Sequence, residues 1–515
     1  MADSPASFGT GGRYQRPPGW AAPGAALVSS AASEPIPDAG QLGRVHVHPA
    51  GQLGRVHIVG IAGAGMSALA RILLAAGVPV SGCEMRDSAT VQALRELGAQ
   101  IWIGHAVEHL DETDTVVHST AISPTHLELA AARARGLPVL RRAAALAAMI
   151  TGRRTVAIAG THGKTSTTSL LTVAAQAAGL DPSYAIGANL HSSGTNGQLG
   201  SGPDFIVEAD ESDGSFLLLR PELALVTNIE ADHLENHGDL EGVFRAFEQF
   251  VDRIVPGGLL LTCADDPGAR RIADYARAAG ARVRSYGESA DADVLVGGIE
   301  EHPDGVRLTV RGLAAEPIAV QVRALVGRHM ALNAAAALVL LDELGGDLAA
   351  ALSSWPEFGG VDRRFEFRGS AAGVRVYDDY AHHPTEVQAQ LTAARPVAAA
   401  AGGRLIAVFQ PGTFSRTQIF AHEFGLALAT ADLAVVLDIY PAREEPLPGV
   451  TGALIAEQIP LPADRVVYEP DRQAVAGRLA ELANTGDLIL TMGIGDVYLL
   501  CPDILAALQH RAAGR

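Results

Sequence analysis

The sequence predicts an α/β protein of three consecutive domains, and three observations support this prediction. Short apolar runs alternate with helical segments along most of the 515 residues, a pattern typical of parallel sheets covered by helices. The alternation restarts near Thr155 and again near Val374. The length also suits about three domains, at roughly 100–200 residues each.

The first section begins near Arg55, after a stretch rich in Pro, Gly, Ser and Ala over residues 1–50 that we expect to be disordered. Residues 56–59 predict a strand, and a glycine turn leads from it into a predicted helix over 66–76. Further strands are expected at 78–80, 101–103, 115–117 and 138–140. Strands separated by helices predict a doubly wound parallel sheet.

The glycines after the first strand have the order G-x-x-G-x-G at Gly60, Gly63 and Gly65. This order is the reverse of the nicotinamide-dinucleotide pattern, although the loop still follows a strand and opens a helix. Glu84 follows the next strand, where an acid that binds a ribose is expected. We therefore predict a nucleotide site without a hydride cofactor.

The second section opens on the most specific motif of the chain. Residues 155–159 predict a buried strand, Gly160 to Gly163 a tight turn, and 165–178 a helix, with Lys164 as the only lysine of the sequence. Strand, glycine turn, Gly-Lys-Thr and helix form a phosphate-binding loop: backbone N–H groups and the lysine bind phosphates, and the Thr165 hydroxyl reaches Mg²⁺. The sequence therefore predicts a nucleoside triphosphate site.

Acids and histidines follow the next predicted strands. Glu208 comes after the strand at 205–207, and His233 lies in the polar loop after the strand at 223–226. Ligands bind at this edge of open α/β sheets, and Glu208 is well placed to hold Mg²⁺ beside the phosphate loop. In the third section, His382 lies in a polar loop after a strand, before predicted strands at 405–409, 433–437 and 488–490.

Composition excludes several classes of function. The net charge of −18 argues against general binding to nucleic acid, which needs a basic surface, and against anionic membranes. The cysteines, Cys83, Cys263 and Cys501, are widely spaced without a C-x-x-C pair, so neither a disulfide framework nor a zinc site is indicated. Without a signal pattern or a long apolar run, we expect a soluble cytoplasmic protein.

Five motifs together resemble the Mur ligase family, from about Arg55 to the C-terminal region. They are 60–67 (GIAGAGMS), 160–168 (GTHGKTSTT), 208–216 (EADESDGSF), 228–233 (NIEADH) and 378–386 (DDYAHHPTE). Their form is most similar to the branch that joins L-alanine to UDP-N-acetylmuramate in peptidoglycan precursor synthesis. The resemblance implies a UDP-sugar-binding Rossmann-like domain over 51–152, an ATP-binding P-loop domain over 153–360 and an amino-acid-binding Rossmann-like domain over 361–515.

The resemblance also implies the reaction and its residues. ATP, with Mg²⁺, would phosphorylate the muramoyl carboxylate to an acyl phosphate, which the amine of L-alanine would attack. The implied catalytic residues are Lys164, Glu208, His233 and His382. The implied nucleotide-binding residues are Gly160, Thr161, His162, Gly163, Lys164, Thr165, Ser166, Asn333 and Arg364. The implied metal ligands are Thr165, Glu208 and His233, and the implied substrate-binding residues are Gly60, Gly63, Gly65, Met66, Ser67, Glu84, Ser119, Tyr380 and Arg416.

Departures from the family pattern leave alternatives open. Gly412 and Thr413 replace the histidine and the basic residue that usually follow Gln-Pro, and Met330 replaces an asparagine. A recycling ligase that adds a tripeptide to the same nucleotide sugar, or a catalytically impaired nucleotide-binding homologue, would suit these changes. We expect a monomer or a weak homodimer, with neither nucleic acid nor membrane as partner.

Overall fold

The computed structural model describes residues 53–442 and 444–513, and over them the chain forms three sheets in sequence order. The segment predicted to be disordered, residues 1–50, lies outside the described residues. The chain is a three-domain α/β protein, as predicted. The boundaries at 152/153 and 360/361 stay predictions.

The first sheet is parallel, with the strand order β3-β2-β1-β4-β5. Its strands are β1 Val56–Val59, β2 Val80–Glu84, β3 Gln100–Ile103, β4 Thr115–His118 and β5 Val139–Arg141. Its helices are α1 Ala64–Ala75, α2 Ala89–Glu96, α3 Leu127–Ala134 and α4 Arg142–Ile150. The order reverses between β1 and β4, so the glycine loop after β1 lies at the switch point where ligands bind in such sheets.

Two elements of this domain differ from the prediction. The strand predicted at 78–80 lies at Val80–Glu84, where Ser81, Gly82 and Glu84 have low strand propensity but pair with β1 and β3. The helix predicted over 66–76 begins at Ala64. Pairing on both sides overrides local propensity here, and the glycine loop is shorter than expected.

The second sheet has ten strands in the order β15-β14-β13-β12-β11-β10-β6-β9-β7-β8. The strands are β6 Arg154–Ala159, β7 Ser183–Leu190, β8 Thr195–Gln198, β9 Asp204–Glu208, β10 Leu223–Val226, β11 Leu259–Cys263, β12 Arg282–Gly287, β13 Val294–His302, β14 Gly305–Arg311 and β15 Ile318–Arg323. The helices are α5 Lys164–Ala177, α6 Leu234–His237, α7 Leu240–Val251, α8 Pro267–Ala278, α9 Arg328–Glu343 and α10 Leu348–Ser354. The middle of the sheet is parallel, and β8, β14 and β15 make antiparallel pairs at its edges.

The third sheet has the order β16-β17-β21-β18-β19-β20, and its edge strand β16 is antiparallel to β17. Its strands are β16 Glu366–Ala371, β17 Val374–Asp379, β18 Leu405–Phe409, β19 Leu433–Leu437, β20 Val466–Glu469 and β21 Leu488–Met492. Its helices are α11 Pro384–Ala400, α12 Phe414–Leu428, α13 Ala453–Ala456, α14 Val475–Leu482 and α15 Leu500–Ala513. The strands predicted at 405–409 and 433–437 are confirmed, and the one predicted at 488–490 extends to Met492.

Contacts between the sheets bring the ends of their strands toward one region. Asn196 in β8 donates through Nδ2 to Ser67 Oγ in α1 (3.2 Å), which joins the first domain to the second. Leu190 forms an isolated antiparallel bridge with Val361, where the chain passes toward the third sheet. Of the helices in the described ranges, none combines the length and the apolar character needed to cross a membrane.

Candidate active site

The phosphate loop follows β6, in the middle of the central sheet, and α5 begins at Lys164. Gly160 and Gly163 have φ values of +125° and +86°, which glycine adopts without strain. A β-carbon on Gly160 would collide with the Thr227 hydroxyl. Asn228 holds the loop, since its carbonyl accepts from Thr161 N (3.0 Å) and its Oδ1 from His162 N (2.8 Å).

The ammonium of Lys164 is held on several sides. Its Nζ donates to the carbonyls of Gly160 (2.6 Å) and Thr161 (3.0 Å) and to the carboxylate of Glu211 (2.9 Å). Burial disfavours the charge, but the acids Glu211 and Asp210 more than offset it and raise the pKa of Lys164 above its usual value. The lysine is therefore a fixed cation, and Glu211 is a partner to which the sequence interpretation assigned no role.

Thr165 and Glu208 meet as the sequence led us to expect. Thr165 Oγ1 lies 3.0 and 3.1 Å from the two carboxylate oxygens of Glu208, and Gly187 N donates to Glu208 Oε2 (2.7 Å). Arg364, from the third domain, donates through Nη2 to Thr165 Oγ1 (3.2 Å). A hydroxyl and a carboxylate oxygen in contact are ligands that Mg²⁺ prefers, so this donor set fits a Mg²⁺ ion.

His233 lies in a separate group of charges after β10. Its ring nitrogens are 3.6 Å from Asp232 and 3.4 Å from Glu235. Arg416, in α12, donates through Nη2 to Asp232 Oδ1 (2.6 Å). Although burial opposes it, the positive charges of His233 and Arg416 hold the pKa of Asp232 far below its usual range. His233 contacts these two acids, and its pairing with Glu208 at a second metal stays a prediction.

A loop of the third domain reaches the phosphate loop at His162. Glu386 accepts from His382 N (3.0 Å), and its other oxygen lies 3.1 Å from His162 Nδ1. Glu230 lies 3.3 Å from His162 Nε2. Burial lowers the pKa of His162, but the two acids outweigh it and raise that pKa to about 9. His382, which packs against the Tyr380 ring, has its pKa lowered to about 4, chiefly by burial.

Asp379 holds the two backbone segments that carry Arg364 and Tyr380. Its carboxylate accepts from Phe365 N and from Ala381 N, both at 2.7 Å, and the side chain is buried. Phe365 has a positive φ of 48°, a conformation that costs a bulky residue energy and that this bond stabilises. The sequence interpretation placed Asp379 in a motif without a role, because a carboxylate that accepts from two loops has no local signature.

The remaining predicted nucleotide residues lie behind the loop. Asn333 in α9 packs against Gly163, where a β-carbon would sit 2.7 Å from its Oδ1. Its Nδ2 lies 3.5 Å from Met330 Sδ, the residue that departs from the family pattern. Ser166 is buried in the first turn of α5.

The first glycine loop is held by the neighbouring strand. Gly60 N and Ile61 N donate to the Cys83 carbonyl (3.0 and 3.1 Å), and Ala62 N donates to Glu84 Oε2 (3.1 Å). Gly63 follows in the same loop, Met66 and Ser67 are buried in α1, and Ser119 follows β4 at the same edge of the sheet.

Arg142 lies between the start of α1 and Asp210, which follows β9. A β-carbon at Gly65 would lie 2.7 Å from Arg142 Nη1, and Arg142 Nη2 is 3.7 Å from Asp210, which precedes Glu211. The sequence interpretation missed Arg142, since one arginine at the start of a helix carries no signal. Arg142 therefore lies between the first turn of α1 and the acids beside Lys164.

Three family models match the chain. "Mur ligase family, catalytic domain" matches residues 55–154, "Mur ligase middle domain" matches 158–341, and "Mur ligase, glutamate ligase domain" matches 363–495. Together they span most of the described residues.

Curated relatives and solved structures agree with these matches. The UDP-N-acetylmuramate–L-alanine ligase of Saccharopolyspora erythraea is 56% identical over 88% of this chain and 93% of its own length. The enzyme of the same name from Mycolicibacterium smegmatis is 50% identical over 88% of this chain and 94% of its own. The crystal structure of UDP-N-acetylmuramate–alanine ligase from Thermotoga maritima superposes with a TM-score of 0.73 at 25% identity, covering 90% of this chain and all of that one.

Proposed function

The chain belongs to the Mur ligase family, and we propose that it joins L-alanine to the carboxylate of UDP-N-acetylmuramate at the expense of ATP, in the cytoplasm. The observation that carries this proposal is the position of Arg142 between Gly65, in the first turn of α1, and Asp210, which precedes the Lys164 partner Glu211. A ligase of this kind must bring a nucleotide sugar on one domain to ATP on the next. We propose that the carboxylate and the transferred phosphoryl group meet beside this arginine.

Lys164 is proposed to neutralise the β- and γ-phosphates of ATP. Its three N–H donors contact Glu211 and two loop carbonyls, so the ammonium is held at the loop, and phosphate oxygens would take the place of one of these acceptors. Gly160 and Gly163 let the backbone approach the phosphates closely, and Thr161, His162 and Ser166 continue that surface. Asn333, Arg364 and His382 are proposed to contact the nucleotide from α9 and from the third domain.

Thr165, beside Glu208, is proposed to hold one Mg²⁺, and Glu208 and His233 are proposed to hold a second metal. When bound, Mg²⁺ neutralises negative charge on the transferring phosphoryl group. The chain prepares the site without it: Gly187 N–H orients one oxygen of Glu208, and Arg364 holds the Thr165 hydroxyl.

The substrates are proposed to bind on either side of this centre. Gly60, Gly63, Gly65, Met66, Ser67, Glu84 and Ser119 would hold UDP-N-acetylmuramate. Arg416 and Tyr380 would hold the carboxylate of L-alanine, and Arg416 is suited to this because a guanidinium binds carboxylates with two hydrogen bonds. A carboxylate oxygen of the sugar would attack the γ-phosphorus, the bond from that phosphorus to the oxygen bridging it to the β-phosphate would break to release ADP, and an acyl phosphate would form. The amine would then add to the acyl carbon, and the carbon–oxygen bond would break to release phosphate.

Two alternatives remain distinct from this proposal. The recycling ligase, which adds a tripeptide to the same nucleotide sugar, differs from the proposed enzyme in its acceptor. A catalytically impaired homologue is disfavoured by the contacts of Lys164 with Glu211 and of Thr165 with Glu208, because a protein without catalysis has no need of them.

The testing experiment measures phosphate release from ATP with Mg²⁺ and UDP-N-acetylmuramate. L-Alanine, glycine, L-serine, the tripeptide and no acceptor are compared. We expect the greatest stimulation with L-alanine. Stimulation by the tripeptide alone would favour the recycling ligase, and ATP binding without release for any acceptor would favour the impaired homologue.

Glu208→Gln tests the metal site in the same assay. We expect it to raise the Mg²⁺ concentration for half-maximal rate at least about tenfold, since an amide is a weaker ligand than a carboxylate. Glu248→Gln, on the outer helix α7, is the matched control and should leave the Mg²⁺ dependence unchanged. An unchanged Mg²⁺ dependence in Glu208→Gln would contradict this assignment.

A further inference from the structure

A second cluster of polar side chains lies in the first domain, on the face of the sheet covered by α3. His57 comes from β1, Cys83 from β2, His105 from the loop after β3 and Glu128 from the first turn of α3. His57, Cys83 and Glu128 are completely buried, and the side chain of His105 is 19% exposed. Nothing in the proposed reaction uses this cluster.

The potential ligand atoms lie around the Glu128 carboxylate and the Cys83 thiol. Glu128 Oε2 lies 2.9 Å from Cys83 Sγ, 3.6 Å from His57 Nε2 and 3.8 Å from His105 Nδ1. His105 Nδ1 is 3.2 Å from Cys83 Sγ. Bonds of 2.0–2.3 Å to a tetrahedral ion place its ligand atoms about 3.3–3.6 Å apart. The ligand atoms of His57, Cys83 and Glu128 all lie within 4.8 Å of one another, so shifts of about 1 Å would place them around one ion, and His105 Nδ1 lies beside the thiol and the carboxylate.

His57 shows that hydrogen bonds alone do not satisfy the cluster. Its Nδ1 is bonded to Ser81 Oγ (3.0 Å), which orients the ring, while its buried Nε2 has no hydrogen-bond partner. That nitrogen faces Glu128 Oε2 at a distance too long for a hydrogen bond. A buried polar atom without a partner is costly, and a metal ion among these ligand atoms would satisfy it.

The other carboxylate oxygen of Glu128, Oε1, makes contacts that orient the side chain. This oxygen lies 2.8 Å from His109 Nδ1 and accepts from Ala106 N (3.1 Å), which leaves Oε2 directed at the cluster. His109 in turn stacks on Trp102, with ring centroids 4.4 Å apart. Outer contacts of this kind, on both His57 and Glu128, are typical of metal ligands, whose orientation they determine.

We propose that His57, Cys83, His105 and Glu128 bind one Zn²⁺ ion. A thiolate, two imidazoles and a carboxylate are ligands of zinc, and the soft thiolate disfavours Mg²⁺ and Ca²⁺. Four protein ligands close the coordination sphere, so the ion is structural. It joins two strands, a loop and a helix. Because the Cys83 carbonyl accepts from Gly60 N and Ile61 N, it also stabilises the first glycine loop.

The test measures zinc in the full chain, made without a histidine tag and separated from loosely bound metal by gel filtration. We expect about one zinc ion per chain by mass spectrometry of the metal. Cys83→Ser should lose at least about nine-tenths of it. Cys263→Ser, which alters another buried cysteine outside the cluster, is the matched control and should keep it.

Two further measurements keep the proposal falsifiable if Cys83→Ser does not fold. His105→Ala removes a partly exposed ligand and should lower zinc content and abolish the rise in melting temperature that added zinc gives the parent. Cobalt loaded in place of zinc should show thiolate charge-transfer absorption in the parent and in Cys263→Ser. A parent without zinc after incubation with it would overturn the proposal. So would a His105→Ala or Cys83→Ser protein that retains full zinc, since the ion would then lie elsewhere, for example among His162, Glu230 and His383.

Discussion

The two glycine loops of this chain occupy equivalent places but are built differently. Each follows a strand in the middle of a parallel sheet, β1 or β6, and opens a helix. In the first loop, the N–H groups of Gly60, Ile61 and Ala62 bond to the neighbouring strand and its acid. In the second loop, the buried ammonium of Lys164 donates hydrogen bonds to two loop carbonyls and to Glu211.

This difference shows how one local geometry serves two tasks. The first loop consists of uncharged residues, and the ionised groups around it, Glu84 and Arg142, come from elsewhere in the domain. The second carries its own cation. A loop that only has to hold a nucleotide needs shape, whereas one that supports phosphoryl transfer needs charge placed in advance. We therefore expect substitutions to affect the two loops unequally.

Lys164→Arg should have the largest effect. The ammonium occupies a narrow space between two carbonyls and Glu211, and a planar guanidinium is too broad for it. We expect kcat for phosphate release to fall by about 10³-fold. Arg271→Lys, at an exposed ion pair with Glu241, is the control and should leave kcat unchanged. A near-normal kcat in Lys164→Arg would refute the role of this loop.

Glycine-to-alanine substitutions, one in each loop, compare how strongly the two loop backbones require glycine. Gly160→Ala adds a β-carbon at φ +125° and against Thr227, and should cost about 4 kcal/mol, lowering the melting temperature by about 10 °C. Gly63→Ala has its nearest neighbours at 3.5 and 3.8 Å and an ordinary φ of −57°, so little change is expected. Thermal unfolding monitored by circular dichroism measures both, and equal melting temperatures would contradict the difference.

Of the two glycine loops, we expect only the second to make the stability of the fold depend on pH. The pKa of His162 is raised from 6.5 to about 9 in the folded protein. Its contribution is therefore fully present below pH 6.5 and is lost as the pH rises through 9, by at most about 3 kcal/mol. Urea unfolding of the parent and of His162→Gln between pH 6 and 10 measures it. If the free energies of unfolding of the two proteins differ equally at every pH, His162 does not hold this charge.

Glu84→Gln should have the smallest effect. The amide oxygen can still accept from Ala62 N, so only the charge assistance of that bond is lost, about 1 kcal/mol. We expect KM for UDP-N-acetylmuramate to rise about fivefold with kcat unchanged. A large fall in kcat would show that the first loop takes part in chemistry as well as binding.

The sequence predicted what is encoded in short contiguous segments. The strands at 56–59 and 223–226 are confirmed, and the phosphate loop and its acid Glu208 could be identified because motif and strand end are local signals. The antiparallel edges of the central sheet were missed, although the turn residues Pro303 and Asp304, followed by Gly305, are turn signals between β13 and β14.

Groups assembled from distant positions could not be predicted. Arg142 meets Gly65 and Asp210 only through the packing of α4 between two sheets. The ligands of the proposed zinc site are spread from His57 to Glu128, with none of the short spacings that identify zinc sites in sequence. Such groups depend on strand order and helix packing, which one sequence does not specify locally.

The central claim is that the chain activates a carboxylate as an acyl phosphate, and isotope transfer tests it most directly. UDP-N-acetylmuramate with ¹⁸O in its carboxylate would be incubated with ATP, Mg²⁺ and L-alanine, and the released phosphate analysed by mass spectrometry. We predict one ¹⁸O atom in each phosphate, because the bridging oxygen of the acyl phosphate leaves with phosphorus when the amine attacks. Phosphate without ¹⁸O would show that ATP is cleaved by water, and would contradict the account.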